Sequence, residues 1–344
     1  SLLTGCYPVN HGSRDNAFAI GTDVPTLAEA MSGAGYQTAG SVGHFLISGP
    51  TSGLDRGFKF YKAPPEPGLA PSKTNKGKTV FPLATNTFRP WGQVNNHARE
   101  WLETAEEPCF MFLHYYECHA PHTPPRPWNR VPGMSLYDGE VAGIDLAIKD
   151  IKTMLYEKGI LDRTEIIITA DHGESLGEHG YKGHGLMLYQ PSMGIPWITC
   201  NGKVANGWIH RGLSRIMDIM PTILNHRKIQ VPLGLDGHPD AEGVHEVYGE
   251  SPGLYPNEPQ RRIRSVRDNH YTMIRHKNAG RKELYNRVDD PGENYNLSLI
   301  ESEKTNDYES QIDEFVKDDT GEVLKPGENM KPAVVDALKA LGYL

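Results

Sequence analysis

Asp171 and His172 stand directly after a short β-branched run, Ile166-Ile167-Ile168-Thr169, and His184 follows between Gly183 and Gly185. Such a run, bounded by polar turn residues, predicts a buried strand of a parallel sheet. In open α/β sheets ligands bind beyond the carboxyl ends of the strands, which is where Asp171 and His172 should fall. A carboxylate oxygen and an imidazole at that edge can both reach one ion. The segment between them and His184 is polar, rich in Gly and His, and has no helical period. The plainer alternative is a surface loop with solvated His and Glu side chains. The ordered set of apolar strand, DHGE, GEHG and GHG speaks against it.

A second group follows another apolar run, Cys109–Leu113, and contains His114, His119 and His122. An imidazole at a strand end can protonate or hydrogen-bond a leaving oxygen. A packed strand position suits His114, and a loop position suits His122. Asn16 lies in a Gly, Pro and Asn-rich stretch. Its side chain could close an Asx-turn.

Several elements must position these groups. Thr26–Gly33 has helical periodicity with Pro25 at its start, and Gly35–Ala39 enters a strand. Asn95–Thr104 is a further helix with Trp101 and Leu102 on its apolar side. Tyr137–Tyr156 carries apolar residues at 141, 144, 148, 151 and 155, steps of three and four that predict an amphipathic helix. Glu140 and Asp145 on it are read as structural, since a helix before a strand packs on the sheet face. Lys62–Trp91 is rich in Pro, Lys, Thr and Asn and reads as a long surface loop. Val244–Glu250, Ile263–Val266 and His270–Arg275 are short strand candidates.

At 344 residues the chain can form one large domain or two ordinary ones and bury a sizeable core. Its net charge of −8 disfavours nonspecific nucleic-acid binding. No apolar run approaches the roughly 20 residues that span a bilayer. Cys6, Cys109, Cys118 and Cys200 show no CxxC pair and no zinc-ligand spacing, which favours free thiols.

The motifs also carry a family resemblance. DHGESLGEHG resembles the second metal-binding block of the sulfatases in the alkaline phosphatase superfamily. Ser1–Asn16 resembles the segment that follows the sulfatase nucleophile motif, C-x-P-S-R or S-x-P-S-R, whose Cys or Ser is oxidised to formylglycine. GYQTAGSVGHF resembles the family's GYxTxxxGKxH without its Lys, and His44 falls near that missing Lys. HYYECHAPH resembles the strand end HxPH, DGEVAGID the YxGEVxxxD helix, and LSRIMDIMPTIL the xDIxPTLL helix. ELYN leading to DPGEN resembles the hairpin that ends the family's small C-terminal subdomain, and ALKALGYL its LxxLGY close.

The resemblance implies an α/β, alkaline phosphatase-like fold: a mostly parallel central sheet flanked by helices, with a small C-terminal antiparallel subdomain. It implies a catalytic domain over residues 1–240, lacking its first strand and nucleophile, and a subdomain with a closing helix over 241–344. The implied reaction is hydrolysis of a small-molecule or carbohydrate sulfate ester. Asp171 and His172 would hold a divalent metal, Ca²⁺ in the first place, with Mg²⁺, Mn²⁺ or Zn²⁺ as alternatives. His119 and His184 would be catalytic, and Asn16 and His44 would contact the substrate. Without the upstream nucleophile the chain alone is expected to be inactive. Phosphodiester or phosphonate monoester hydrolysis on the same core, or a noncatalytic binding module with a degenerate site, are the alternatives. Family members of this type suggest a periplasmic or secreted protein, whose export signal would precede Ser1; nothing in the sequence indicates an oligomeric state.

Overall fold

The structure, a computed structural model, describes residues 1–319 apart from 15, 17, 66–71, 74–78, 81–86, 201–208, 211, 242, 252–261, 277–278 and 318; for 72–73 and 79–80 only the backbone is described. The chain divides into two compact units. One comprises Ser1–Asn10, Ile166–Arg227 and Val231–Lys325; the other comprises His11–Glu165, Lys228–Gln230 and Pro326–Leu344. Residue 240, the expected boundary, lies inside the first of these. The ALKALGYL close and the expected closing helix lie outside the described residues.

The His11–Glu165 unit is built on a parallel three-stranded sheet in the order Phe60–Lys62, Gln37–Val42, Cys109–His114. Ala39 lies opposite Phe60 on one side and Met111 on the other. The central strand is buried along almost its whole length, as its place between two neighbours requires. Leu27–Gly33 forms the helix before it. Thr26 caps that helix in a reciprocal capping box, its hydroxyl accepting from Glu29 N–H while Glu29 accepts from Thr26 N–H. Trp91–Thr104 covers the sheet, with Ser41 Oγ 3.1 Å from His97 Nδ1. Most of Lys62–Trp91 lies outside the described residues, although Ser72–Lys73 and Thr79–Val80 pair antiparallel.

The long helix runs from Leu136 to Glu157, one residue longer at each end than its periodicity indicates. Its second half buries Ile151 and Leu155 as expected, but in its first half Glu140, Gly143 and Ala147 are buried while Val141 is 46% exposed. The reason is polar. Glu140 accepts from His122 Nδ1 at 2.9 Å and from Thr123 N–H at 2.7 Å, so the carboxylate turns inward to hold the loop. A buried charge with partners takes precedence over an apolar neighbour.

In the other unit, Ile166–Thr169 is a strand, but not the buried parallel one expected. Among the described residues it pairs antiparallel with Trp197–Cys200, Thr169 opposite Trp197, and is half-buried throughout. An apolar run fixes that a strand exists and says nothing of its partner's direction. A four-stranded antiparallel sheet follows: Val247–Ser251, Ile263–Arg267, Tyr271–His276 and Arg281–Asn286. Helix Ser302–Phe315 packs on one face through Val266, Met273, Leu284, Tyr308 and Ile312. The other face holds Leu188, Tyr189, Ile263, Ile274 and Tyr285. The expected helix Leu213–Leu224 begins as a tight turn at Ile216–Asp218 and continues as Ile219–His226. All four cysteines are free thiols.

Candidate active site

The chemistry-bearing residues fall into two clusters, one in each unit. The first begins where Ile166–Thr169 ends. Asp171 and His172 are exposed there, with His172 Nε2 3.8 Å from Asp171 Oδ1. His172 Nδ1 donates to Gly173 O at 2.9 Å, which leaves Nε2 as the basic nitrogen of the neutral ring. Gly173 N–H donates to Ser192 O at 2.9 Å. The backbones approach so closely here that a Cβ on Gly173 would lie 2.1 Å from Pro191 O.

The following residues form a small hairpin rather than an open loop, Ser175–Leu176 pairing antiparallel with Lys182–Gly183. Ser175 Oγ donates to Tyr181 O at 2.9 Å, and Glu178 Oε2 accepts from Leu176 N–H at 2.7 Å. The hairpin returns the chain on itself, so His184 stacks on His172 with ring centroids 4.0 Å apart. His184 Nδ1 donates to Glu174 Oε2 at 3.0 Å, and Tyr181 Oη donates to the backbone carbonyl of His184 at 2.6 Å. Glu174 is largely buried, its side chain 8% exposed. Its role was not assigned from the sequence, although it stands in the DHGE motif. Pairing with His184 depends on the hairpin, which spacing alone does not disclose.

The antiparallel sheet fixes the far end of this loop. Ser251 Oγ donates to Gly185 O. Tyr189 Oη donates to the buried carboxylate of Glu283 at 2.7 Å, and Gln190 N–H to Glu293 Oε2 at 2.7 Å. Hydrogen bonds from Tyr189, Tyr285 and His276, with the Arg281 charge, hold Glu283 ionised against burial, its pKa lowered to about 2.

The second cluster lies at the carboxyl ends of the adjacent parallel strands Gln37–Val42 and Cys109–His114. Gly43 passes so near the neighbouring strand end that a Cβ would meet Tyr116 N at 2.9 Å and His114 O at 3.1 Å. His44 is buried, and its Nδ1 accepts from Leu46 N–H at 3.3 Å. Burial, with the neighbouring charges of His114 and His119 adding to it, lowers the His44 pKa to about 3. After His114 the chain turns at Tyr116–His119, closed by His119 N–H to Tyr116 O at 3.2 Å, with Cys118 in the left-handed region at φ +75°. The turn brings three rings into one stack: His44 to Tyr116 at 4.4 Å and Tyr116 to His119 at 4.6 Å between centroids. His122 is turned away to Glu140.

Asn16 lies exposed on a turn between two residues outside the description. Thus the structure brings Asp171, His172 and His184 together in one unit, and His44 and His119 together in the other. Tyr116 links the latter two; its only signal in the sequence is an aromatic ring three positions before the histidine.

Two donors 3.8 Å apart suit one cation, because ligands each 2.3–2.6 Å from an ion lie at most roughly 5 Å from one another. Among the described residues, no group of three or more His, Cys, Asp or Glu side chains is arranged to hold a metal. Asp171 and His172 therefore fit part of a coordination shell.

The family model for sulfatases matches residues 1–229, and the chain belongs to the sulfatase family. It is 24% identical to the ulvan-active sulfatase of Formosa agariphila over 86% of the chain and 66% of that protein. A shorter stretch, 29% of the chain and 20% of the relative, is 35% identical to the multifunctional alkaline phosphatase superfamily protein PehA of Trinickia caryophylli. Among solved structures, a protein in complex with its substrate D-glucosamine-2-N,6-O-disulfate superposes with a TM-score of 0.73 at 19% identity, covering 96% of this chain and 88% of that one. The phosphonate monoester hydrolase of Silicibacter pomeroyi superposes with a TM-score of 0.70 at 19% identity, over 94% and 86%. The fold is alkaline phosphatase-like, with parallel strands, flanking helices and an antiparallel sheet. Among the described residues, no helix is long and apolar enough to cross a membrane.

Proposed function

We propose that the chain hydrolyses sulfate esters with a formylglycine nucleophile carried by a segment N-terminal to Ser1. The observation that carries this reading is the Asp171, His172, Glu174 and His184 cluster in a chain of the sulfatase family.

Asp171 and His172 would hold a divalent cation, Ca²⁺ in the first place, together with donors beyond these two. Such an ion neutralises charge on the ester and favours ionisation of the nucleophile. His184, oriented by Glu174, would as the imidazolium donate from Nε2 to an anionic ester oxygen. His119 would hand a proton to the leaving oxygen as its bond to sulfur breaks. Asn16 and His44 are proposed substrate-side residues, with Asn16 exposed and His44 acting from within the ring stack. Sulfated carbohydrates are the proposed substrate class, supported by the relatives whose names specify them.

A second reading, phosphonate monoester hydrolysis, is supported by the Silicibacter pomeroyi structure and by GYQTAGSVGHF, which lacks the family's Lys. The test is a paired rate measurement on an aryl sulfate and an aryl phosphonate, with protein carrying the sequence before Ser1. A preference for the sulfate is expected; a preference for the phosphonate would replace the first reading with the second, and no turnover of either would favour a binding module. The chain beginning at Ser1 should turn over neither, and turnover by it would refute the assignment of the nucleophile.

A further inference from the structure

We propose that Tyr116 is the positioning residue of His119: its ring, stacked between His44 and His119, and its hydroxyl on Nδ1 hold the imidazole so that Nε2 is the nitrogen offered to the ester. The proposal rests on the reading of His119 as the group that protonates the leaving oxygen.

Ala120 O lies 2.6 Å from His119 Nδ1, and a carbonyl oxygen only accepts, so Nδ1 must carry a proton. Tyr116 Oη lies 3.0 Å from the same nitrogen and accepts a share of that N–H. This assigns the tautomer from the hydrogen-bond network, with the lone pair of the neutral ring on Nε2. A protonated His119 can then release the Nε2 proton without breaking either contact at Nδ1.

The ring plane is fixed separately. Tyr116 and His119 are 20° from parallel, and Tyr116 and His44 are 16° from parallel. His44 is the floor of the stack. It is buried, its Nδ1 accepts from Leu46 N–H, and Phe88 pairs with it as an isolated bridge while its ring lies 5.8 Å from Tyr116. On each side of this floor the backbone is tied: Phe45 N–H donates to Thr87 O at 3.0 Å and Arg89 N–H to Gly43 O at 2.8 Å. The floor is thus rigid, Tyr116 rests on it, and the imidazole rests on Tyr116. A stack of this kind also explains a histidine at position 44, where a charged Lys could not lie flat against the ring as a buried neutral imidazole does.

Two measurements test this. The first uses the 344-residue chain with ¹⁵N-labelled histidine. His119, assigned by its loss in His119→Gln, should show one neutral tautomer, protonated on Nδ1. In Tyr116→Leu it should become a mixture, and in Tyr116→Phe, which keeps the ring, it should change less. An Nε2–H tautomer in the unsubstituted chain, or no change in Tyr116→Leu, would overturn the proposal.

The second measurement uses protein carrying the sequence before Ser1, with a nitrophenyl sulfate and an alkyl sulfate as substrates. A general acid contributes about 10²–10⁴-fold, and it matters for the poor leaving group. Tyr116→Leu should lower kcat on the alkyl ester about tenfold or more and on the nitrophenyl ester less than about twofold, a split that a general loss of packing would not produce. In a His119→Gln background the same substitution should have no further effect. Equal losses on both esters, or additive losses with His119→Gln, would overturn it. Inactivity of the unsubstituted protein on both esters would instead sink the sulfate-ester reading, while the labelled-histidine spectra would still decide for or against the stack.

Discussion

His44 makes the fold acid-labile, and the amount follows from its burial. Unfolded, it takes a proton near pH 6.5; folded, burial keeps it neutral down to about pH 3. Protons therefore favour the unfolded chain. This contribution to stability is full above about pH 6.5 and is lost as pH falls toward 3. The slope is about 1.4 kcal/mol per pH unit, or about 2 kcal/mol lost by pH 5. Burial also lowers the pKa of His11, in the same unit, so its contribution runs in the same direction. The His44 part alone is a sizeable share of the roughly 5–15 kcal/mol that holds a domain together. The assay is urea unfolding from pH 7.5 to 5.0, followed by tryptophan fluorescence, with His44→Gln alongside. Glutamine cannot titrate but can still accept from Leu46 N–H. The variant should lose stability with falling pH less steeply, by about 1.4 kcal/mol per pH unit below pH 6. Carboxylates such as Glu283, with a pKa near 2, stay ionised in the folded state across this window and do not blur the comparison. Identical pH slopes for the two proteins would refute the reasoning.

Four further outcomes are expected. Glu174→Gln removes the carboxylate that orients His184, and a hydrogen bond to a charged group contributes about 1.5–3 kcal/mol, so in protein carrying the sequence before Ser1 kcat/KM on an aryl sulfate should fall about 10- to 100-fold with the thermal midpoint little changed. Gly173→Ala forces a Cβ against Pro191 O and should lower stability by about 1–3 kcal/mol or more, read as a drop in Tm. Cys118→Val places a β-branched residue in the left-handed region and should cost about 1–2 kcal/mol, whereas Cys118→Gly should be near neutral in the same melt. Leu284→Ala empties a fully buried position beneath Ser302–Phe315 and should cost about 2–5 kcal/mol in urea unfolding.

Some of this architecture is legible in the sequence because it follows from local rules. The helix after Pro25 reads from its apolar period, and Cys109–Leu113 reads as a strand from its apolar run alone. Direction and face are less legible. Ile166–Thr169 has the composition of a parallel core strand, yet its described partner, Trp197–Cys200, runs the other way, because partner choice is made by the chain's later course. The long helix buries Glu140 in place of Val141 because His122 and Thr123, far away in sequence, supply the bonds that make a buried carboxylate tolerable. The same limit applies at the candidate site. Asp171, His172, His119 and His184 stand out by type and context. Glu174 and Tyr116 do not, since the first acts only after a hairpin folds back and the second only after a left-handed turn at Cys118.

The ties from Tyr189 to Glu283 and from Gln190 to Glu293 give the late part of the gene a say in what its middle does. The segment bearing His184 is moored to side chains encoded about a hundred codons downstream, a separation of 94 residues for the first tie and 103 for the second. A chimaera that took its last third from another sulfatase would inherit a foreign mooring, and its DHGE hairpin would drift unless the acidic partners came in register. Likewise, nascent chains stalled before residue 283 would present the DHGE hairpin without its anchor, so competence should arrive only when the antiparallel sheet has been synthesised and closed.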